Sequence, residues 1–244
     1  MQEVQEQETQ GDSLSVKSSA KTSKVQLKRI EPRTKNQSKI FDAFDRGENL
    51  FITGRAGTGK SFLSIYLALE AINAKEFNEL VIVRSAVPAR RQGFLPGNEE
   101  EKNAIFEQPY EAIVNDLFNT RGHYKFLKNE GKIRFLSTSY LRGITIDNAV
   151  IYVDEVQDFN GGEIDTIITR TGQDCQLIIS GDAAQNDLLY LHEESCIENL
   201  TKIMKKMPSF TTIEMELEDI QRNDLVKEWL IARDSISNTI PRHF

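Results

Sequence analysis

The stretch that most constrains this chain is residues 50–61, which read L-F-I-T-G-R-A-G-T-G-K-S. Within it, Gly54, Gly59, Lys60 and Ser61 fit the phosphate-loop pattern G-x-x-x-x-G-K-[ST]. An apolar run precedes the pattern, and a run of apolar residues at helical spacing follows it directly. This strand–loop–helix context lets a loop turn its backbone N–H groups toward a phosphate. The sequence therefore predicts a nucleoside-triphosphate site.

Each residue type in this loop has a physical role in holding a triphosphate. The glycines have no Cβ, so the backbone can wrap closely around a phosphate, and the following helix directs its positive dipole end to the same place. Lys60 can reach the β- and γ-phosphates, and the hydroxyl of Ser61 can ligate Mg²⁺. We therefore assign ATP binding to one continuous run: Gly54, Arg55, Ala56, Gly57, Thr58, Gly59, Lys60, Ser61 and Phe62.

A second apolar strand, residues 149–153, ends in the carboxylates Asp154 and Glu155. A carboxylate at a strand tip can hold Mg²⁺ through its water shell, so Asp154 is assigned to the metal together with Ser61. Glu155 lies one residue further from the metal and can polarise a water for in-line attack on the γ-phosphate. A strand that ends in Asp-Glu is common by chance, and its meaning comes from its occurrence together with the phosphate loop.

Three further polar residues are candidates because of where the predicted elements place them. Gln37 opens a short amphipathic helix upstream of the phosphate loop, where its amide could pair with adenine; a surface glutamine is an equally open alternative. Gln185 follows a strand at residues 176–180 and could sense the γ-phosphate or orient the attacking water. Asp182 is expected to be structural, or to support the residues that contact the metal without touching it. Arg222 precedes the last helix and could neutralise transition-state charge, or be an ordinary surface arginine.

A cluster of cations follows the second predicted strand, residues 80–83. Arg84 stands at the C-terminal end of this strand, where open parallel sheets place their ligands. Arg90 and Arg91 lie in the loop that follows, which contains Pro and Gly. These arginines could contact phosphates of ATP or of nucleic acid, or could simply be solvated.

The order of the predicted elements indicates the fold class. Short apolar strands alternate with helical segments over residues 34–244, which predicts a doubly wound, mainly parallel α/β sheet with helices on both faces. This length suits a single domain. Residues 1–33 are rich in Gln, Glu, Ser and Lys without apolar periodicity, which predicts a disordered charged tail. Its basic half could touch nucleic acid or a partner.

Composition excludes several classes of function. The net charge of -7 does not indicate nucleic-acid binding overall, although local patches could still provide it. The 2 cysteines and 3 histidines are scattered, which argues against a Cys/His metal site or a disulfide framework. No apolar run approaches the ~18 residues of a membrane span, and no signal peptide is visible. We therefore expect a cytoplasmic protein.

Taken together, the motifs resemble the PhoH-like ATPases, the phosphate-starvation-inducible group related to superfamily 1 helicases. The resemblance extends from about Thr34 to Trp229. Besides the phosphate loop, its most specific pieces are G-F-L-P-G at 93–97, S-Y-L-R-G at 139–143, D-E-V-Q-D at 154–158 and G-D-A-A-Q at 181–185. The resemblance implies a RecA-like core that hydrolyses ATP, with a role on RNA. The chain departs from the family at 84–88, where R-S-A-V-P replaces the usual R-P-A-V-E.

Two functions from different classes stay open at this point. The first is an ATP-driven motor or remodeller of single-stranded RNA or DNA, and the second is a nucleotide-dependent switch or assembly factor acting on a protein. A small-molecule kinase is disfavoured, because kinases seldom place a water-activating Glu directly after the metal Asp. A lone domain leaves its ATP cleft open. We therefore expect a homo-oligomeric ring, such as a hexamer, in which a neighbouring copy delivers Arg222.

Overall fold

The computed structural model describes residues 25–85, 99–182 and 196–237, which form an α/β fold. The strands in these ranges are β1 Asn49–Gly54, β2 Glu79–Arg84, β3 Ile133–Ser137, β4 Ala149–Val153, β5 Gln176–Gly181 and β6 Phe210–Met215. The α-helices are α1 Lys35–Asp45, α2 Lys60–Asn73, α3 Glu99–Leu117, α4 His123–Asn129, α5 Gly161–Arg170, α6 Ile197–Met204 and α7 Asp224–Ser237. Short 3-10 turns lie at Thr138–Tyr140, Val156–Asp158 and Leu217–Asp219.

Every neighbouring pair of strands in the described sheet is parallel. The strands lie in the order β3-β2-β4-β5-β1-β6, so the phosphate-loop strand β1 is separated from the acidic strand β4 by β5. Parallel strands need crossover connections, which the helices between them supply. This arrangement confirms the predicted doubly wound, parallel α/β sheet.

Alternate residues of each strand pack into two separate cores, one on each face of the sheet. On one face Ile52, Ile82 and Tyr152 pack with α1 to α4. On the other face Val83 and Ile151 pack with α5 and α6. Helices therefore cover both faces, as the strand–helix alternation predicts. Within the described ranges, none of these helices combines the length and the apolar character that a membrane span requires.

The parallel register brings the C-terminal ends of four strands to one edge of the sheet. Val83 of β2 pairs with Val153 of β4, which pairs with Ile179 of β5. On the other side of β5, Gly181 pairs with Thr53 of β1. The phosphate loop and the residues that follow β2, β4 and β5 are therefore neighbours, although they are far apart in sequence.

The predicted disordered tail is wrong for its last part, residues 25–33. Leu27 and Ile30 pack against the core on the α1–α4 face. The backbone N–H of Lys28 donates to the carbonyl of Leu117 at 2.8 Å, and its ammonium pairs with Asp116. Two apolar residues in an extended polar segment give no periodic signal, so this contact could not be predicted from the sequence. Residues 1–24 lie outside the described ranges.

Candidate nucleotide-binding site

The phosphate loop joins β1 to α2 through glycines in left-handed backbone conformations. Gly54, Gly57 and Gly59 have φ values of 137°, 86° and 93°. A Cβ on Gly54 would lie 2.4 Å from the carbonyl oxygen of Met215 on the adjacent strand β6, so only glycine fits there. α2 begins at Lys60, so its unpaired N-terminal N–H groups open onto the loop.

The side chain of Lys60 folds back over this loop. Its ammonium donates to the carbonyl oxygens of Gly54 at 2.6 Å and Arg55 at 3.0 Å. Burial lowers the pKa of Lys60, and this effect is opposed by the negative charges of Asp182, Glu155 and Asp154. A cation is therefore held inside the loop, among carboxylates, where a phosphate would sit.

The structure brings the two predicted halves of the site together. The hydroxyl of Ser61, in the first turn of α2, lies 3.3 Å and 3.4 Å from the two carboxylate oxygens of Asp154. Ser61 and Asp154 are 93 residues apart in sequence, and the parallel sheet alone makes them neighbours. Their oxygens are hard ligands of the kind that Mg²⁺ prefers.

The orientation of Asp154 is fixed by a set of buried donors. Its Oδ1 accepts hydrogen bonds from the Tyr152 hydroxyl at 2.6 Å, the Ser180 hydroxyl at 2.9 Å and the Glu155 N–H at 3.0 Å. Its Oδ2 accepts from the Tyr110 hydroxyl at 2.9 Å. Oδ1 has three of these donors and Oδ2 has one, which leaves Oδ2 as the oxygen with more free capacity for a metal or its water.

Tyr110 is a site residue that sequence reasoning missed. It lies on α3, is 1% exposed, and reaches Asp154 from a different element than any predicted site residue. Burial and the charge of Asp154 raise the pKa of Tyr110 well above its usual value, so the phenol stays a proton donor. No short motif surrounds Tyr110, and its position in the helical pattern of apolar residues predicts only a core contact.

The residues present fit a magnesium ion bound together with a triphosphate. In the described ranges, no group of three or more His, Cys, Asp or Glu side chains is arranged to hold a metal by itself. Mg²⁺ commonly uses one or two protein oxygens, and takes its other ligands from water and substrate phosphates. Ser61 and Asp154 supply that kind of set beside the phosphate loop.

Glu155 occupies a left-handed conformation, with φ 55°, directly after β4. Burial, followed by the charge of Asp154, raises the pKa of Glu155 above its ordinary value of 4.5. A hydrogen bond from the Gln157 amide, 2.5 Å from the Glu155 carboxylate, and the charges of Arg84 and Lys60 oppose this rise. A carboxylate with a raised pKa is a stronger base toward water, which suits the role predicted for it.

Gln157 and Asp182 connect the acidic strand tip to the phosphate loop. The Gln157 side-chain oxygen accepts from the Asp182 N–H at 2.9 Å. The Asp182 carboxylate in turn accepts from the Ala56 N–H at 3.1 Å. Asp182 is therefore structural, as expected, because it holds the loop backbone in place.

Gln37 is buried against the phosphate loop instead of lying on the surface. It is 3% exposed, and its amide nitrogen lies 3.4 Å from the carbonyl oxygen of Thr58. Its side-chain oxygen accepts from the Arg33 N–H at 2.9 Å. The surface alternative is wrong, and the amide already has protein partners within the loop and the segment that precedes α1.

Arg222 lies beside the phosphate loop of its own chain. The Gln221 N–H donates to the Gly57 carbonyl at 2.9 Å, and a Cβ on Gly57 would lie 3.0 Å from the Arg222 Cγ. The turn before Arg222 is fixed by Asp219, which accepts hydrogen bonds from the side chains of Thr34 and Asn36. The stem of Arg222 therefore lies against the phosphate loop of its own chain.

Several predicted site residues cannot be placed. Gln185, Arg90 and Arg91 lie outside the described ranges, as do G-F-L-P-G at 93–97 and most of G-D-A-A-Q at 181–185. Their assigned roles stay predictions.

Comparison with known proteins gives a consistent family. The family profile described as PhoH-like protein matches residues 29–233. A PhoH-like protein from Synechocystis is 31% identical over 91% of this chain and 67% of its own length. One from Bacillus subtilis is 29% identical over 87% and 66%, and Protein PhoH from Escherichia coli is 32% identical over 65% and 46%. The chain therefore spans between about half and two thirds of these relatives.

Solved structures give weaker likenesses. The large terminase of a thermophilic bacteriophage aligns over 82% of this chain and 50% of its own, with 15% identity and a TM-score of 0.49. The Pif1 helicase from Candida albicans aligns over 76% and 40%, with 16% identity and a TM-score of 0.38. Because these TM-scores are below 0.5, we draw no conclusion about the function of this chain from these two structures.

The raised pKa of Glu155 generates a pH prediction. A base must be deprotonated to act, so kcat/KM for ATP hydrolysis should fall below a pKa that lies above 4.5. Gln157→Leu removes the hydrogen bond that lowers this pKa, so the acid limb should move to still higher pH. The comparison of the two profiles cancels the ionisation of ATP itself. An acid limb that stays in place, or moves to lower pH, in a variant that melts like wild type would contradict the assignment.

Proposed function

This chain belongs to the PhoH-like protein family, and on that premise we propose that it binds ATP with Mg²⁺ and hydrolyses the γ-phosphate bond. The observation that carries the proposal is the approach of the Ser61 hydroxyl to within 3.3 Å of Asp154, directly below a glycine loop that contains Lys60. This is the arrangement that phosphoryl transfer needs, because such enzymes act by positioning and by neutralising charge.

The proposed reaction is the in-line attack of water on the γ-phosphorus. The Glu155 carboxylate accepts the proton of this water, the bond from the γ-phosphorus to the β,γ-bridging oxygen breaks, and ADP and inorganic phosphate leave. Lys60 exchanges the Gly54 and Arg55 carbonyls for phosphate oxygens. Mg²⁺, when bound by Ser61 and Asp154, neutralises charge on the β- and γ-phosphates. Gln185 orients the water or senses the γ-phosphate, and Arg222 stabilises transition-state charge from within the same chain.

We further propose that hydrolysis is coupled to binding or remodelling of single-stranded RNA or DNA. The family resemblance supports this coupling, whereas the net charge of -7 does not favour it overall.

The alternative is a nucleotide-dependent switch or assembly factor that acts on a protein. The exposed apolar side chains of Leu225, Val226 and Trp229 on α7 favour that alternative, because contiguous exposed apolar surfaces mark protein contacts. A cytoplasmic location is proposed alongside, supported by the free thiols Cys175 and Cys196.

The surface of α7 also supports a homo-oligomer, such as a hexameric ring. Leu225, Val226 and Trp229 are 73%, 37% and 66% exposed, and their spacing places them on one side of the helix. This face begins three residues after Arg222, beside the phosphate loop. We propose that a second copy of this chain covers it, so that nucleotide state and assembly are linked.

Turnover tests the proposed chemistry directly. Glu155→Gln should keep ATP affinity while kcat falls on the order of 10²–10⁴-fold, because only proton acceptance is lost. Glu130→Gln, on the exposed end of α4, should match wild type. Single-stranded RNA or DNA should raise wild-type kcat, whereas a protein-directed switch should not respond. Undiminished ATP turnover by Glu155→Gln would contradict the assignment of Glu155 as the base.

Mass measurement tests the proposed oligomer. Light scattering of wild type should give a multiple of the 27.8 kDa chain mass, increasing with protein concentration. The pair Leu225→Ala and Trp229→Ala should lower this mass, because it removes the exposed apolar face. Phe126→Ala removes another exposed ring, on α4, where Phe126 is 54% exposed, and should leave the mass unchanged. A monomeric wild type that hydrolyses ATP fully would exclude the ring.

A further inference from the structure

We propose that Arg84 is a further catalytic residue, whose guanidinium contacts the terminal phosphate of the nucleotide and stabilises the charge that develops during transfer. The inference rests on the proposed ATP hydrolysis and adds a further cation, besides Lys60 and Arg222, from within the same chain. The sequence left open whether Arg84 contacts phosphates of ATP or of nucleic acid, and the proposal assigns it to ATP.

The position of Arg84 follows from the sheet. It is the last residue of β2, which is paired in parallel with β4. Val83 is opposite Val153, and the Asp154 N–H donates to the Val83 carbonyl at 3.0 Å. Arg84 therefore stands beside the acidic strand tip, at the same edge of the sheet as the phosphate loop. Ligands of open parallel sheets bind at this edge.

The Arg84 guanidinium packs against an aromatic ring but has a buried donor without a hydrogen-bond partner. Its carbon lies 5.7 Å from the centre of the Phe106 ring on α3, which is a cation–π distance. Its Nε is buried and has no hydrogen-bond partner, and no ion pair of Arg84 occurs in the described part of the chain. Buried donors are almost always paired, so an unpaired one beside a ligand edge indicates an acceptor that binds there.

Nearby charges keep Arg84 cationic despite its burial. Burial lowers the pKa of Arg84, but the environment of Tyr110, Asp154 and Glu155 outweighs this effect and raises it overall. Asp154 is within hydrogen-bond distance of Ser61, Tyr110, Tyr152 and Ser180. The carboxylates therefore attract the guanidinium without occupying its donors, which stay available for phosphate oxygens.

Arg84 and Lys60 both act on Glu155. Each of the two positive charges lowers the pKa of Glu155, against the larger effects of burial and Asp154 that raise it. Both cations therefore act electrostatically on the proposed base, and the attacked phosphate must lie close to this base for the water to be activated there. Arg222 differs, because its stem contacts Gly57 in the loop itself. A guanidinium fork matches phosphate oxygens in two parallel hydrogen bonds, which an ammonium cannot do.

The test compares Arg84→Met and Arg84→Lys with wild type, all without nucleic acid. Arg84→Met keeps an apolar stem against Phe106, and Arg84→Lys keeps the charge but not the fork. We expect kcat for ATP to fall on the order of 10³-fold in Arg84→Met, with only partial recovery in Arg84→Lys. Arg121→Met, an exposed arginine in the turn between α3 and α4, serves as the matched control and should behave as wild type.

A second readout does not depend on turnover. Wild type should bind ADP with aluminium fluoride, a mimic of the transferring phosphoryl group, far more tightly than ADP alone. In Arg84→Met this gain should be lost, while the affinity for ADP alone stays within about threefold, because the proposed contact is to the terminal phosphate only.

Each other outcome overturns the proposal. Unchanged kcat and unchanged aluminium fluoride binding would make Arg84 a bystander. A loss confined to stimulation by single-stranded RNA or DNA would assign Arg84 to nucleic-acid phosphates instead. If both Arg84 variants fail to fold while Arg121→Met folds, the role of Arg84 is structural. A wild type that neither binds ADP nor turns over ATP would refute the proposed function itself, which is a different result from all of these.

Discussion

The site depends on one interaction, the fixed approach of the Asp154 carboxylate to the first turn of the helix that follows the phosphate loop. Carboxylates on strand ends are free to rotate unless donors hold them. Here Tyr152, Ser180 and the Glu155 N–H hold one oxygen and Tyr110 holds the other, while the Ser61 hydroxyl lies within 3.4 Å of both. The orientation of the Asp154 carboxylate is therefore set before any ligand arrives, and under the proposed metal binding this preorganisation would lower the cost of charge neutralisation.

A second layer of contacts holds the phosphate loop from outside. Gln37 of α1 touches the loop at Thr58, and Gln221 touches it at Gly57. Asp219 joins these two supports, because it accepts hydrogen bonds from the residues that begin α1. The contacts of the phosphate loop thus continue to α1 and to the segment before α7. The exposed apolar face of α7 follows directly, so the proposed link between nucleotide state and assembly would run through these contacts.

Much of this arrangement could be predicted from the sequence, for identifiable reasons. The phosphate loop and the acidic strand tip are contiguous motifs, and strand–helix alternation determines that parallel strand ends meet, so Ser61 and Asp154 were brought together correctly. Tyr110 and Gln157 could not be predicted, because their roles come from contacts between elements, which spacing within one element does not reveal. Residues 25–33 were misread for the same reason, since Leu27 and Ile30 gain their order from packing on the core. Delivery of Arg222 by a neighbouring copy was predicted because the chain has a single domain. That the stem of Arg222 lies beside Gly57 of its own phosphate loop could be learned only from the fold.

The most direct test of the central claim is a double-mutant cycle on the effect of Mg²⁺ on ATP binding, measured by calorimetry with Ser61→Ala, Asp154→Asn and the double variant. If Ser61 and Asp154 hold one metal against one triphosphate, Mg²⁺ should tighten ATP binding to wild type by about tenfold or more. Each single variant should lose most of that gain, and the double variant should lose little beyond either single one, because residues that share a partner are not additive. A Mg²⁺ effect that persists in Asp154→Asn, or losses that simply add, would contradict the account.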